Sequence, residues 1–314
     1  LREHPIPARL NLVLLGVTTG SATVLQTLAA RVETLGGLVL CGGAFAVTLV
    51  TLYTLFHEAA HGLAHPDPKV NRWMGRLLGI FFGVPFSFFR HGHLGHHRRN
   101  RTDSEMFDLY YESDNRLLKI LILWSILAGL FYVVFVLLGL ALLVVPRLLI
   151  RWAKGLGMAT NAYVIGSMPL SLLPSIRGEM VLILAAQGAL FFALGWRWET
   201  YLALYGCHAV FWSSQDYARH AFSPRDILDG AHNLRRNRLA SWVFLNNNFH
   251  KAHHRNPRVS WIHLPGLVTE EEMGPPLWQN YLRMLKGPEL TLDPPPKSLD
   301  RDFEIYRQVQ AGPS

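Results

Sequence analysis

Cysteine is almost absent: Cys41 and Cys207 are the two in 314 residues, each inside an apolar run. Two thiols make no disulfide framework, and an iron–sulfur cluster needs about four ligands, so both are excluded. Charge is also scarce. Asp, Glu, Lys and Arg make up 17% of the chain, and acidic residues (22) are fewer than basic ones (30). No haem motif, internal repeat or low-complexity segment stands out. What is plentiful is apolar surface: 50% of the residues are hydrophobic and the mean hydropathy is +0.18. These values fit a membrane protein with a sizeable polar part. With long apolar runs present, the net charge of +8 reads as a cytoplasmic, membrane-facing surface and not as nucleic-acid binding.

The first apolar run, 10–30, lacks a small-residue cleavage site and leads into a second, 36–56, so it reads as an anchor and not a cleaved leader. Each is about 20 residues, which at 1.5 Å per residue matches a bilayer core of roughly 30 Å. Residues 73–89 are apolar and aromatic, but Arg76 and Pro85 interrupt them, which predicts a helix lying in the interface. Residues 98–116 are too charged to enter lipid, and 117–145 form the longest apolar run, expected to cross. Two more runs, 179–196 and 199–215, are joined by Trp196-Arg197-Trp198, a combination typical of an interface. The expectation is an all-α, multi-span membrane protein with four, or six, spans. The four are about 10–30, 36–56, 117–145 and 179–215, with cytoplasmic parts at 57–116 and 216–314. If all histidine clusters share one face, an even number of crossings separates His97 from His250. Either one apolar run fails to cross fully, or the weaker stretch 158–176 crosses as well.

The histidines are the organising feature. His93, His96 and His97 read His-x-x-His-His, and the spacing returns at His250, His253 and His254; His57 and His61 form a His-x-x-x-His pair before both. Residues three and four apart share a helix face, so each cluster can aim its rings at one point. Neutral imidazole suits zinc, copper, nickel and iron. Eight histidines in three clusters exceed what one tetrahedral zinc needs, so the reading is a two-metal centre, with iron preferred. Asp216 and His220, at i and i+4 where the last apolar run meets the polar region, are read as two further ligands. His91 and His208 are candidate supporting residues around the ligands, and Asn247 and Asn248 can orient ligands through ring N–H groups. His57-Glu58-Ala59-Ala60-His61 is also a literal zinc-protease motif, and Leu228-Asp229-Gly230 supplies an acidic candidate; that reading leaves the other six histidines idle.

Taken together, the three boxes, the apolar runs between them and the Asn-rich lead into the last box resemble the integral-membrane fatty acid desaturases, over about residues 50–265. Membrane alkane hydroxylases and carotenoid ketolases are similar to that family. The resemblance implies two non-haem irons on the cytoplasmic side, dioxygen as oxidant and a lipid or acyl-chain substrate. It implies desaturation, with hydroxylation or ketolation of an aliphatic or isoprenoid chain as the alternative. Where the family carries Asn-x-x-x-His at the end of its last membrane helix, this chain has Asp216 and His220. A separate ferredoxin-like or cytochrome donor is implied, since the chain carries no redox motif of its own. Arg98, Arg99, Arg101, Arg255 and Arg258 are candidates to dock an acidic donor or anionic lipid, or form a solvated positive-inside surface.

Overall fold

The computed structural model describes residues 4–156, 164–235 and 237–297. Its helices are α1 (Ala8–Ala29), α2 (Leu35–Ala60), α3 (Pro68–Phe82), α4 (Phe86–Arg99), α5 (Arg116–Leu127), α6 (Leu130–Val144), α7 (Pro146–Leu156), α8 (Leu173–Ala193), α9 (Trp198–Ala218), α10 (Arg238–Val243), α11 (His250–Arg255) and α12 (Leu277–Leu285). Among the described residues, strands are confined to two parallel pairs, Leu109–Tyr110 with Glu289–Leu290 and Asn233–Arg235 with Met273–Pro276. The protein is an all-α membrane protein.

Helix α2 is the axis. Thr34 caps its N-terminus by accepting from the Gly37 amide, the role expected of a short hydroxyl side chain at that position. Its first half shows apolar residues outward (Leu35, Val39, Leu40), whereas every residue from Leu49 to His61 is buried. The helix therefore rises from a lipid-facing foot into a protein-lined head, packed between α1, α3 and α9. Exposed Val13, Val17, Val24 and Leu28 on α1 and Leu182 and Phe192 on α8 continue the outward apolar belt, which lipid, not water, would cover.

Among the described residues, three helices are long and apolar enough to cross a membrane: α1, α2 and α8 with its lead turn from Leu170. The run 117–145 is not a straight span. Helices α5 and α6 meet at 81°. The break is at Gly129, whose φ of +92° only glycine adopts easily, and a Cβ there would lie 2.7 Å from the Val210 amide nitrogen. The run 179–215, expected as one span, is a hairpin of α8 and α9. Helix α9 ends beside the histidines and α8 is antiparallel to it, so α8 starts on the histidine side. The bent α5–α6 pair is thus not one of the straight spans. Of the stretch 158–176, residues 158–163 lie outside those described.

The expected interfacial helix at 73–89 is also different. Pro68 and the Asp67 cap start α3 at the polar face, and the helix then descends along α2, with Asn71 bonded to the Ala59 carbonyl and Phe82 stacked on Tyr53. Gly83 (φ +75°) reverses the chain and α4 climbs back. Such a mid-layer helix end would leave carbonyls unpaired in an apolar medium. Here Gln187 donates to the Ile80 carbonyl, Tyr205 to Phe81 and Tyr132 to Phe82. Those donors come from α8, α9 and α6, which is why the dip is invisible in the local sequence.

Candidate metal centre

The dip delivers α4 to the head of α2. His57 and His61 lie on the last turn of α2 and just beyond it. His93, His96 and His97 lie on the last turns of α4, His250, His253 and His254 on α11, and His220 two residues past the end of α9. Their nitrogens form two sets, each with ligand atoms within 4.8 Å of one another: His57, His61, His93, His97 and His253; and His96, His220, His250 and His254. The sets adjoin, since the His97 and His254 rings stack at 4.3 Å. All three boxes and His220 are therefore brought together.

The donor set fits metal ions. Ring nitrogens approach in pairs: His61 Nε2 to His93 Nε2 at 2.7 Å, His97 Nε2 to His253 Nε2 at 3.1 Å and His220 Nε2 to His250 Nε2 at 2.9 Å. His57 Nε2 and both nitrogens of His254 are buried without a partner among the described residues. So many buried lone pairs facing one another are costly unless a cation accepts them. Burial, ahead of repulsion by neighbouring rings and Arg219, pushes the imidazoles of His220, His250 and His254 well below the usual histidine range, and His253 down to about 3. They are neutral at pH 7, the form that binds a metal.

Two contacts fix which nitrogen faces inward. His96 Nδ1 lies 2.6 Å from Glu105 Oε2, and His220 Nδ1 donates to the Gly230 carbonyl at 2.9 Å, so each Nε2 is turned to the site. Glu105 is also paired with Arg99. Sequence reading missed Glu105; the available signal was a carboxylate eight residues after His97 in a polar loop.

Asp216 lies in neither set. It pairs with Arg219 and accepts a 2.9 Å hydrogen bond from the Tyr53 hydroxyl. Helix α9 ends at Ala218, so His220 sits in the following turn and the i, i+4 relation to Asp216 is not continued by helix. Nor do the other supporting residues touch the ligands. Asn247 accepts from Arg219 and donates to Thr54, Asn248 donates to the Leu234 carbonyl, and His91 bonds Val164 O. His208 is fully buried among aromatic rings, away from both sets. The zinc-protease geometry is absent as well. Glu58 accepts from Ser260 Oγ and the Trp261 amide, and Asp229 pairs with Arg255 and Lys251 at the surface. His57 and His61 share their set with three other histidines and no carboxylate.

A model of the family described as "Fatty acid desaturase" matches residues 34–287. The chain belongs to the fatty acid desaturase family. The match spans all three boxes, His220 and the helices that carry them. A "Sphingolipid delta(4)-desaturase DES1-like" protein of Oryza sativa subsp. japonica is 35% identical over 69 residues, 22% of this chain and 21% of that protein. The similarity therefore spans about a fifth of that relative's length. The two histidine sets are the groups among the described residues that could hold metal ions.

Proposed function

We propose that the protein is a di-iron, dioxygen-dependent oxidoreductase that introduces a double bond into a fatty acyl or related aliphatic chain. The observation that carries this reading is the pair of adjoining all-imidazole sets, five and four histidines, at the head of a lipid-facing helix bundle. The relative's name adds a lipid desaturation to the family match. Overall, dioxygen, two protons and two electrons combine with the saturated chain to give the alkene and two waters. His57, His61, His93, His97 and His253 would hold one iron, and His96, His220, His250 and His254 the other. Bound iron supplies the activation of dioxygen that no side chain can provide.

The protein's own part is placement. The last turns of α2 and α4, the start of α11 and the turn after α9 fix the imidazoles, with Glu105 and the Gly230 carbonyl setting tautomers. Burial of the ligands excludes bulk water, which protects a reactive centre from side reactions. Tyr53, Phe82, Phe89 and Trp212 pack beneath the ligands as an apolar floor toward the bilayer, where an acyl chain would be held against the centre. Electrons come from an external ferredoxin-like or cytochrome partner. A cytoplasmic position for the histidines is supported by charge: the described turns at the opposite end carry Arg31, Glu33 and Arg197, whereas the histidine side carries most of the arginines.

The test is expression in a host with lipid profiling by mass spectrometry, alongside metal analysis, with His254→Ala as control. The expected result is about two irons per chain and a new double bond that the control lacks. A new hydroxyl without a double bond would sink the desaturation, and one zinc without iron would sink the di-iron reading.

A further inference from the structure

Directly beneath the ligands the floor holds two polar edges that nothing in the fold uses. Tyr53 lies one helical turn, about 5 Å, below His57 on α2. Its ring meets Trp212 of α9 at 5.2 Å. His208 lies one turn further down the same face of α9. Phe82 and Tyr132 close the cage, with ring centres 5.5 and 4.9 Å from His208 and 5.2 and 5.9 Å from Trp212. The other polar groups of this cage are satisfied: Tyr53 donates to Asp216, and Tyr132 to the Phe82 carbonyl. His208 is 0% and Trp212 3% exposed, yet both nitrogens of His208 and the indole nitrogen of Trp212 lack a partner among the described residues.

Buried polar atoms are almost always paired, and an unpaired imidazole within an apolar layer is costly. Phenylalanine would fill either position without that cost. The two edges sit on one helix face, spaced i and i+4, within the aromatic cage directly beneath the histidines. We infer that His208 and Trp212 form a recognition subsite for an oxygen atom on the substrate, so that the protein acts on an oxygenated lipid chain (hydroxylated or keto) rather than a plain hydrocarbon chain. Trp212 can only donate, which requires an acceptor oxygen. Neutral His208 offers one donor and one acceptor, so it serves a hydroxyl or a carbonyl. This rests on the reading of the histidine sets as an acyl-chain oxidising centre and specifies its substrate class.

The test measures binding without turnover. Iron-loaded protein in lipid nanodiscs, kept oxidised and without an electron donor, is titrated with a long-chain acyl lipid and with counterparts bearing one hydroxyl or keto group moved along the chain. At one position the oxygenated lipid is expected to bind about tenfold tighter than the parent. Trp212→Phe and His208→Phe are each expected to shrink the ratio of oxygenated-to-parent affinity, and the double variant to bring that ratio to about one. Iron content and elution profile report whether each variant is folded; should the variants misfold, the wild-type titration decides alone. No preference at any position, or a preference that survives in the folded double variant, overturns the inference. A preference with no oxidation of any lipid by the reduced, donor-supplied protein leaves the subsite standing and removes the desaturase reading instead.

Discussion

Asp108→Asn should be among the most damaging single changes outside the ligands. Arg101 and Asp108 are both 0% exposed at their side chains and face each other through two N–H···O bonds of 2.6 and 3.0 Å. The carboxylate also accepts from the Tyr217 hydroxyl and the Phe222 amide, each at 2.5 Å, and Arg101 donates to the Ser223 carbonyl. The pair thereby ties the chain just past His97 to the chain around His220. Burial alone would raise the Asp108 pKa, but the Arg101 charge and these donors outweigh it and hold it below the usual carboxylate range. Its contribution to stability is therefore present above about pH 4 and lost as pH falls through the lowered value. Asparagine removes the charge while leaving the guanidinium buried, and its amide N–H groups would face existing donors. Breaking a buried pair from one side costs about 3–5 kcal/mol, against a typical total of about 5–15 kcal/mol. Thermal unfolding in detergent should fall by on the order of 10 °C. Metal should be lost first from the set holding His96 and His220. The double change Arg101→Met with Asp108→Leu should be milder than Asp108→Asn alone, because no charge is stranded. A single variant within about 0.5 kcal/mol of the parent, or a double variant equally damaged, would refute the argument.

Glu105→Gln should weaken metal binding about 10–100-fold by loosening His96, read by competition with a chelator, and leave the fold intact by circular dichroism. Tyr132→Phe removes the donor on the Phe82 carbonyl and should cost about 1–3 kcal/mol; an unchanged unfolding midpoint would show that the end of α3 needs no cap. The metal-free protein should lose stability on acidification. The unfolded chain takes up protons below about pH 6.5, whereas burial keeps His253 unprotonated down to about 3, and His220, His250 and His254 are shifted the same way. Each such histidine costs up to ~1.4 kcal/mol per pH unit below about 6.5, so a midpoint that stays flat between about pH 7 and 5 would contradict the burial of these rings.

The boxes were legible because helical spacing is a local property. His93, His96 and His97 lie on one helix, α4, but they do not aim at one point: His93 and His97 join His57, His61 and His253, whereas His96 turns to His220, His250 and His254. His220 was found from its place at the end of an apolar run. The companion reading of Asp216 depended on where α9 stops, and two residues of helix decided it. Asn247 and Asn248, read as orienting the ligands, instead bond Arg219 and Thr54, and the Leu234 carbonyl; those partners lie in other segments, which spacing alone does not disclose.

The larger misreadings share one cause. Hydropathy counts apolar residues and cannot see whether a run stays straight. Residues 117–145 are apolar throughout, yet one glycine against the α9 backbone turns them by 81°. Residues 73–89 dip because Tyr132, Gln187 and Tyr205 satisfy the carbonyls of a helix that ends inside the apolar layer. Both broken elements lean on α9, whose own polar residues, from Tyr205 through Ser213 to Asp216, are spent on them or on Tyr53. Helix α9 is therefore the reason a helix pair can dive partway beneath the histidines and return. Set against that role, His208 and Trp212 are two adjacent positions beneath the histidines whose polar atoms serve no helix end, and their place one and two turns below the ligands is what points to a ligand.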